Sequence, residues 1–176
     1  MENITENMER ILEDFKAETA IPSIVLTTER NDNIAITDSK FGGIPYLPKD
    51  YAYPTTAEGE PLRLLAQLNF SQLPKLENFP TSGILQFYVL PDGVFGLQDL
   101  PDATNGDTYR VIYHKEILPE ESIMKDFSDI EIFDEEYDEL FPFEGEYLIN
   151  GSIVNSSMHN PYEFDNKTPN KYLANS

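Results

Sequence analysis

Apolar residues recur at helical spacing near the N-terminus and then alternate with polar ones along most of the remaining chain. One helix followed by a set of strands is therefore expected. Ile4, Met8, Ile11, Leu12 and Phe15 share one helical face, while Glu9, Arg10, Glu13 and Asp14 take the other. The spacing predicts an amphipathic helix over 4–18, with Asn3 and Glu6 as a capping box and Pro22 closing the exit. Strand patterns follow at Ile24–Thr28, Ile34–Thr37, Leu62–Leu68, Gly83–Leu90, Val94–Leu97, Tyr109–Tyr113 and Glu146–Ile153. Asn31-Asp32-Asn33 reads as a turn between the first two, and Thr104–Asp107 as a further turn. Pro91-Asp92-Gly93 reads as a hairpin turn into Val94–Leu97. A short helical turn is expected at Ser71-Gln72-Leu73, ended by Pro74. The expected fold class is α+β: a largely antiparallel, β-rich sheet with an N-terminal amphipathic helix and long irregular loops.

The densest signal lies between Lys40 and Pro74. Phe41-Gly42-Gly43-Ile44-Pro45-Tyr46-Leu47-Pro48 and Leu64-Leu65-Ala66-Gln67-Leu68-Asn69-Phe70 flank a loop punctuated by proline and glycine. A Gly-Gly pair can turn backbone N–H groups around an anion, as phosphate loops do. Here no Gly-Lys-Ser/Thr follows, and Pro45 and Pro48 forbid an immediate helix. Turn geometry is the stronger reading, with glycines supplying positive φ or close backbone approach. Gln67 and Asn69 alternate with Leu68, so the two amides share one face of a strand. A buried Gln67 needs hydrogen-bond partners, and the backbone near the Gly-Gly turn offers them.

These blocks carry a resemblance. The series Ser39–Pro48, then Arg63–Phe70 with Leu73-Pro74, is similar to the YwqG-like family of bacterial proteins, a domain of unknown function. Phe79-Pro80, Gly83–Tyr88, Tyr109–Tyr113, Glu144–Tyr147 and Pro161–Asp165 continue the resemblance in order. It implies a mixed α+β fold with a largely antiparallel sheet, and no established activity, cofactor or catalytic residue. Members of that family continue past the Tyr-x-Phe element into further strands, so the resemblance implies that this chain lacks the C-terminal third. If that segment completes the sheet, an apolar face or strand edge would be left uncovered. Residues 1–165 are expected to form one such domain, incomplete if that third is missing, and 166–176 a polar tail.

Composition narrows the function more than the fold. At 176 residues the chain suits one domain, and with 40% hydrophobic residues it is not of the disordered class. It has no cysteine, which removes disulfides, thiolate metal sites and thiol nucleophiles. The acidic N-terminus has no apolar run of the secretory kind, so a cytoplasmic, soluble protein is expected. Twelve Lys and Arg stand against thirty-two Asp and Glu, a formal charge of −20. Such a field opposes nucleic acid and anionic membrane as partners.

Thirteen of the acids lie in 116–147, where Lys125 is the single basic residue. The run Asp134, Glu135, Glu136, Tyr137, Asp138, Glu139 is the candidate partner-binding surface. Ile130, Ile132, Phe133, Leu140, Phe141 and Phe143 interleave as apolar anchors. A solvated face with core-facing aromatics is the commoner explanation of such a run. Calcium is the third reading of residues 126–139, although the loop spacing and central glycine of an EF-hand are absent. His114 and His159, far apart and without cysteines, make no zinc site. No cofactor, metal or catalytic residue is assigned.

The sequence reads first as a protein-interaction module holding a basic partner, in the manner of an antitoxin or immunity protein, rather than as an enzyme. The alternative is a small-ligand-binding or enzymatic domain. Its pocket would lie near the Gly-Gly-x-Pro loop and Gln67, with Gly42, Gly43, Tyr46, Gln67 and Asn69 as candidate ligand-binding residues.

Overall fold

A computed structural model describes residues 2–31, 33–97, 106–130 and 141–157. The fold is α+β, as the hydrophobic pattern predicts. Among the described residues there is one α-helix, α1 (Glu2–Thr19), and an antiparallel sheet of six strands. The strands are β1 (Ile21–Glu29), β2 (Lys40–Gly42), β3 (Arg63–Asn69), β4 (Ile84–Val89), β5 (Tyr109–His114) and β6 (Glu146–Ser156), with spatial order β1-β6-β2-β3-β4-β5. A short 3₁₀ turn covers Glu120–Ser122.

The chain divides into two compact units. One contains the N-terminal residues through Val25 and the strand residues from Ser152. The other is Leu26–Gly151. In the first unit Phe15 is buried, whereas Leu12, on the same expected apolar face, is 52% exposed.

In the second unit, β3 pairs with β4 at Gln67↔Gln86 and Asn69↔Ile84, with a register shift between Leu64 and Ala66. Facing residues in a ladder share a sheet face. Gln67, Gln86, Ile84 and Tyr88 thereby point to one side, where three small apolar clusters sit. Tyr46 packs with Ile84 and Ile123. Leu47 packs with Phe127. Leu62 and Leu64 pack with Tyr88. The covering layer is thus made of loops rather than helices. Two irregular segments, around 44–53 and 116–130, are stitched together where Met124 N–H donates to Leu47 O at 2.8 Å and Lys49 N–H to Ser122 O at 3.0 Å.

Several expected elements differ. Residues 34–37 form no strand: Asp38 N–H bonds back to Ala35 O, and the carbonyls of this turn accept from side-chain amides of β3 instead of a neighbouring strand. Val94–Leu97 is a turn rather than the second arm of a hairpin. Asp92 Oδ1 accepts from both Val94 and Gly96 N–H groups, and this local bonding outcompetes a ladder. Ser71-Gln72-Leu73 is a turn closed by Gln72 N–H to Asn69 O, with no helix. The short strand β2 lies within the Gly-Gly motif, where three residues are too few to show alternation. Asp32, residues 98–105, 131–140 and 158–176 lie outside the described residues, and with them part of the expected turn at 104–107.

Candidate functional site

The Gly42-Gly43 pair ends β2 with two successive positive φ values, +66 and +70. Only glycine adopts this conformation without steric cost. Both positions are also crowded. A Cβ on Gly42 would lie 2.5 Å from Gly145 O and 2.8 Å from the Phe143 ring. One on Gly43 would meet the Glu146 carboxylate. The pair therefore lets the 143–146 segment approach the β2 backbone, and it turns the chain toward Ile44 and Pro45.

That turn delivers Tyr46 onto the sheet, where two glutamines grip its main chain. Tyr46 N–H donates to Gln67 Oε1 at 2.9 Å. Gln86 Nε2 donates to Tyr46 O at 2.6 Å and to Gln67 Oε1 at 2.8 Å. Gln67 Nε2 donates to Ile36 O and to Asp38 O, both at 2.8 Å. Asn69 Nδ2 takes the intervening carbonyl, Thr37 O, at 2.8 Å. Ser39 Oγ accepts from Asn69 N–H at 2.9 Å, and Gln72 Oε1 accepts from Ser39 N–H at 2.8 Å. Gln67 and Gln86 are fully buried. Burial of an amide without partners would be costly, and here each polar atom has one.

His114 extends the network from β5. Its Nε2 lies 3.0 Å from Gln86 Oε1. Its ring meets those of Tyr46 and Tyr51 edge-on. Burial lowers its pKa from the usual imidazole value, since the charged form is disfavoured away from water. The Tyr46 hydroxyl is occupied as well, accepting from Leu118 N–H at 2.9 Å.

A buried charge adjoins the loop. Lys40 on β2 is 1% exposed, and its Nζ lies 2.7 Å from Glu146 Oε1 on β6, itself 32% exposed. Lys40 faces Leu148 across the ladder, so Glu146 is its diagonal neighbour on the same face. Arg63 is buried too, with its guanidinium carbon 4.3 Å from the centre of the Phe141 ring.

Of the expected ligand-binding residues, the structure brings Gly42, Gly43, Tyr46, Gln67 and Asn69 into one contiguous assembly. Their polar side-chain atoms bind the protein's own backbone. Sequence reasoning missed Gln86, Ser39, Lys40 and Glu146. The alternation of β4 offered a signal for Gln86, because it occupies the same parity as buried Ile84 and Tyr88. The expected partner-binding residues Asp134, Glu135, Glu136, Tyr137, Asp138 and Glu139, together with His159, lie outside the described residues.

Two open clefts lie elsewhere in the second unit. One of about 680 Å³ is lined by Lys49, Glu120, Glu121, Met124, Lys125 and Asp126, among others. The other, of about 550 Å³, is walled by Ile36, Thr37 and Leu118, with Glu120, Ile123 and Lys125 shared. Lys125 and Glu120 form an exposed ion pair between them. Hydrogen bonds with Ser128 hold the Asp126 carboxyl below the usual range. Among the described residues no group of three or more acidic or histidine side chains gathers as a metal cluster. No described helix is long and apolar enough to cross a membrane.

A family model described as a domain of unknown function, DUF1963, matches residues 39–175, from the serine before β2 to near the end of the chain. None of the curated proteins matches the chain.

Proposed function

The chain belongs to the DUF1963 family, a domain of unknown function, and we propose that it is a protein-binding module whose anionic surface receives a basic partner. One observation carries the reading. Among the described residues the buried Lys and Arg side chains are Lys40 and Arg63, whereas every Asp and Glu is at least partly exposed, Glu146 beside Lys40 included. Arg110 is also withdrawn, its guanidinium donating to the carbonyls of Asp107, Tyr109 and Thr55. Two cations are thus taken inward and a third is partly covered in a chain that has few of them, while most carboxylates face water. The charge of −20 is therefore presented largely to solvent, which favours fast, steered association with a basic protein. An antitoxin-like or immunity-like inhibitor is the form of module that such a surface suits.

The ligand-pocket alternative has less support. A pocket at Gln67 needs polar atoms aimed at a ligand, whereas the Gln67 and Asn69 amides are engaged by the backbone.

The test is capture of partners from the native host at low salt. The wild type is compared with a variant carrying Asp134→Asn, Glu135→Gln, Glu136→Gln, Asp138→Asn and Glu139→Gln. The expected result is a stoichiometric complex with a basic protein that dissociates as salt rises and is lost in the variant. Retention of the same partner by the neutralised variant, with no salt dependence, would overturn the reading.

A further inference from the structure

Among the described residues strand β5 forms one edge of the sheet. Its ladder with β4 runs without a break from Ile84↔His114 to Val89↔Tyr109. Leu90 N–H donates to Thr108 O at 2.8 Å, which makes Leu90 and Thr108 a hydrogen-bonded facing pair. Alternation along an antiparallel ladder then directs the main-chain groups of Arg110, Ile112 and His114 toward β4. Those of Tyr109, Val111 and Tyr113 point outward. Arg110 folds over the first of these, donating to Tyr109 O at 2.8 Å. The outward N–H and C=O groups of Val111 and Tyr113 meet no partner among the described residues. Their side chains are 57% and 43% exposed. No proline, bulge or charge protects positions 111–113, although such devices ordinarily blunt an edge strand.

We propose that β5 pairs antiparallel with β5 of a second copy of this chain, about a two-fold axis passing through Ile112. In this register Val111 of one copy faces Tyr113 of the other, and the outward groups of both residues close into hydrogen-bonded pairs. The same facing pairs set a β-branched side chain against an aromatic one, a favoured cross-strand combination. The flanking charges are self-complementary. Beyond the paired stretch an exposed base lies on one side of Ile112 and an acid on the other: Lys115 and Asp107. The two-fold axis sets Lys115 of each copy diagonal to Asp107 of the other, while Arg110 stays bonded to the carbonyls of its own chain. Diagonal neighbours about 7–8 Å apart are within reach of long side chains. A strand that complements its own reversal fits an isologous interface, which requires the same patch on both subunits. The net charge of −20 opposes this association at long range, and at about physiological ionic strength screening confines that opposition to roughly 8 Å.

Sedimentation equilibrium on the full chain near physiological ionic strength tests the pairing. The wild type should form a concentration-dependent dimer. Val111→Lys, at an exposed position, should weaken the dimer about tenfold or more by removing both Val–Tyr pairs and adding like charge. The chain has no cysteine, so Ile112→Cys should give a disulfide-linked dimer on oxidation, because position 112 faces itself in the short, non-hydrogen-bonded pair. Hydrogen exchange on the wild type reads the same contact without substitution: the Val111 and Tyr113 amides should exchange more slowly as concentration rises. A monomer at every concentration overturns the proposal. So does a dimer that Val111→Lys leaves unchanged, or one in which those two amides gain no protection.

Discussion

Gln86 donates from Nε2 to Gln67 Oε1 at 2.8 Å across β3 and β4, and this contact sets the direction of the hydrogen bonds around it. Gln67 presents its amine to two carbonyls, so its oxygen must face Tyr46 N–H and Gln86. Gln86 then turns its own oxygen to His114. An amide oxygen can only accept, so His114 carries a proton on Nε2. The backbone groups at the ends of this chain fix each amide orientation and the histidine tautomer. Gln67 and Gln86 occupy facing positions whose backbone groups point away from each other, because the hydrogen-bonded pair falls at Phe70 N–H to Gly83 O. Side chains approach most closely in such pairs.

Gln67→Met would keep the side-chain length and leave Tyr46 N–H, Ile36 O and Asp38 O without their partner. Each buried orphan costs about 1–3 kcal/mol, so a loss of about 3 kcal/mol is expected. Gln67→Glu should cost more, since a carboxylate cannot donate to the two carbonyls. Urea denaturation with an unchanged m-value measures both. A loss below about 1 kcal/mol for either variant would contradict the clamp.

Gly42→Ala combines a left-handed backbone with a Cβ placed 2.5 Å from Gly145 O. Gly59→Ala has positive φ as well, but its Cβ would meet nothing within 4 Å. The Gly59 variant should lose only the conformational cost of about 1–2 kcal/mol. The Gly42 variant should lose roughly 3 kcal/mol or more. Thermal denaturation of the pair separates close approach from backbone conformation, and equal losses would refute the crowding at Gly42.

Glu146→Gln would leave Lys40 buried without a counter-charge. Because Glu146 is one-third exposed, water moderates the loss, and about 2 kcal/mol is expected. Lys40→Met removes the charge together with its need for a partner and should cost less than about 1 kcal/mol or even stabilise. The double variant Lys40→Met with Glu146→Gln should then recover most of what Glu146→Gln alone loses. A double-mutant cycle by urea denaturation gives the coupling.

His114 supplies a pH dependence with a definite sign. Burial lowers its pKa in the folded state, so between the folded and unfolded values the unfolded chain binds more protons. The stability that it contributes is complete above the unfolded imidazole value of about 6.5 and declines as pH falls below it. His114→Asn keeps a donor for Gln86 Oε1 and removes the titration. Denaturation midpoints measured from neutral to mildly acid pH should fall less steeply in the variant. An identical slope in the two proteins would mean that His114 does not titrate in this way.

The local pattern was sufficient for α1 and for the cores of β1, β3, β4, β5 and β6, because helical and two-residue periodicities are written in consecutive residues. It also marked Gln67 and Asn69 as paired on one face and the glycines as a turn, since positive φ and strand parity are local properties. Distant bonding partners decided the rest. Residues 34–37 have a strand-like composition, yet they end as a turn because Gln67 and Asn69, some thirty positions away, take their carbonyls. Val94–Leu97 lost its ladder to a single aspartate. Gln86 and Lys40 look unremarkable in sequence, and only the register of β2, β3, β4 and β6 places them in the buried network. The charge of −20 could be counted from composition. Which charges face water could not, because burying Lys40 and Arg63 depends on Glu146 and Phe141 arriving from far along the chain.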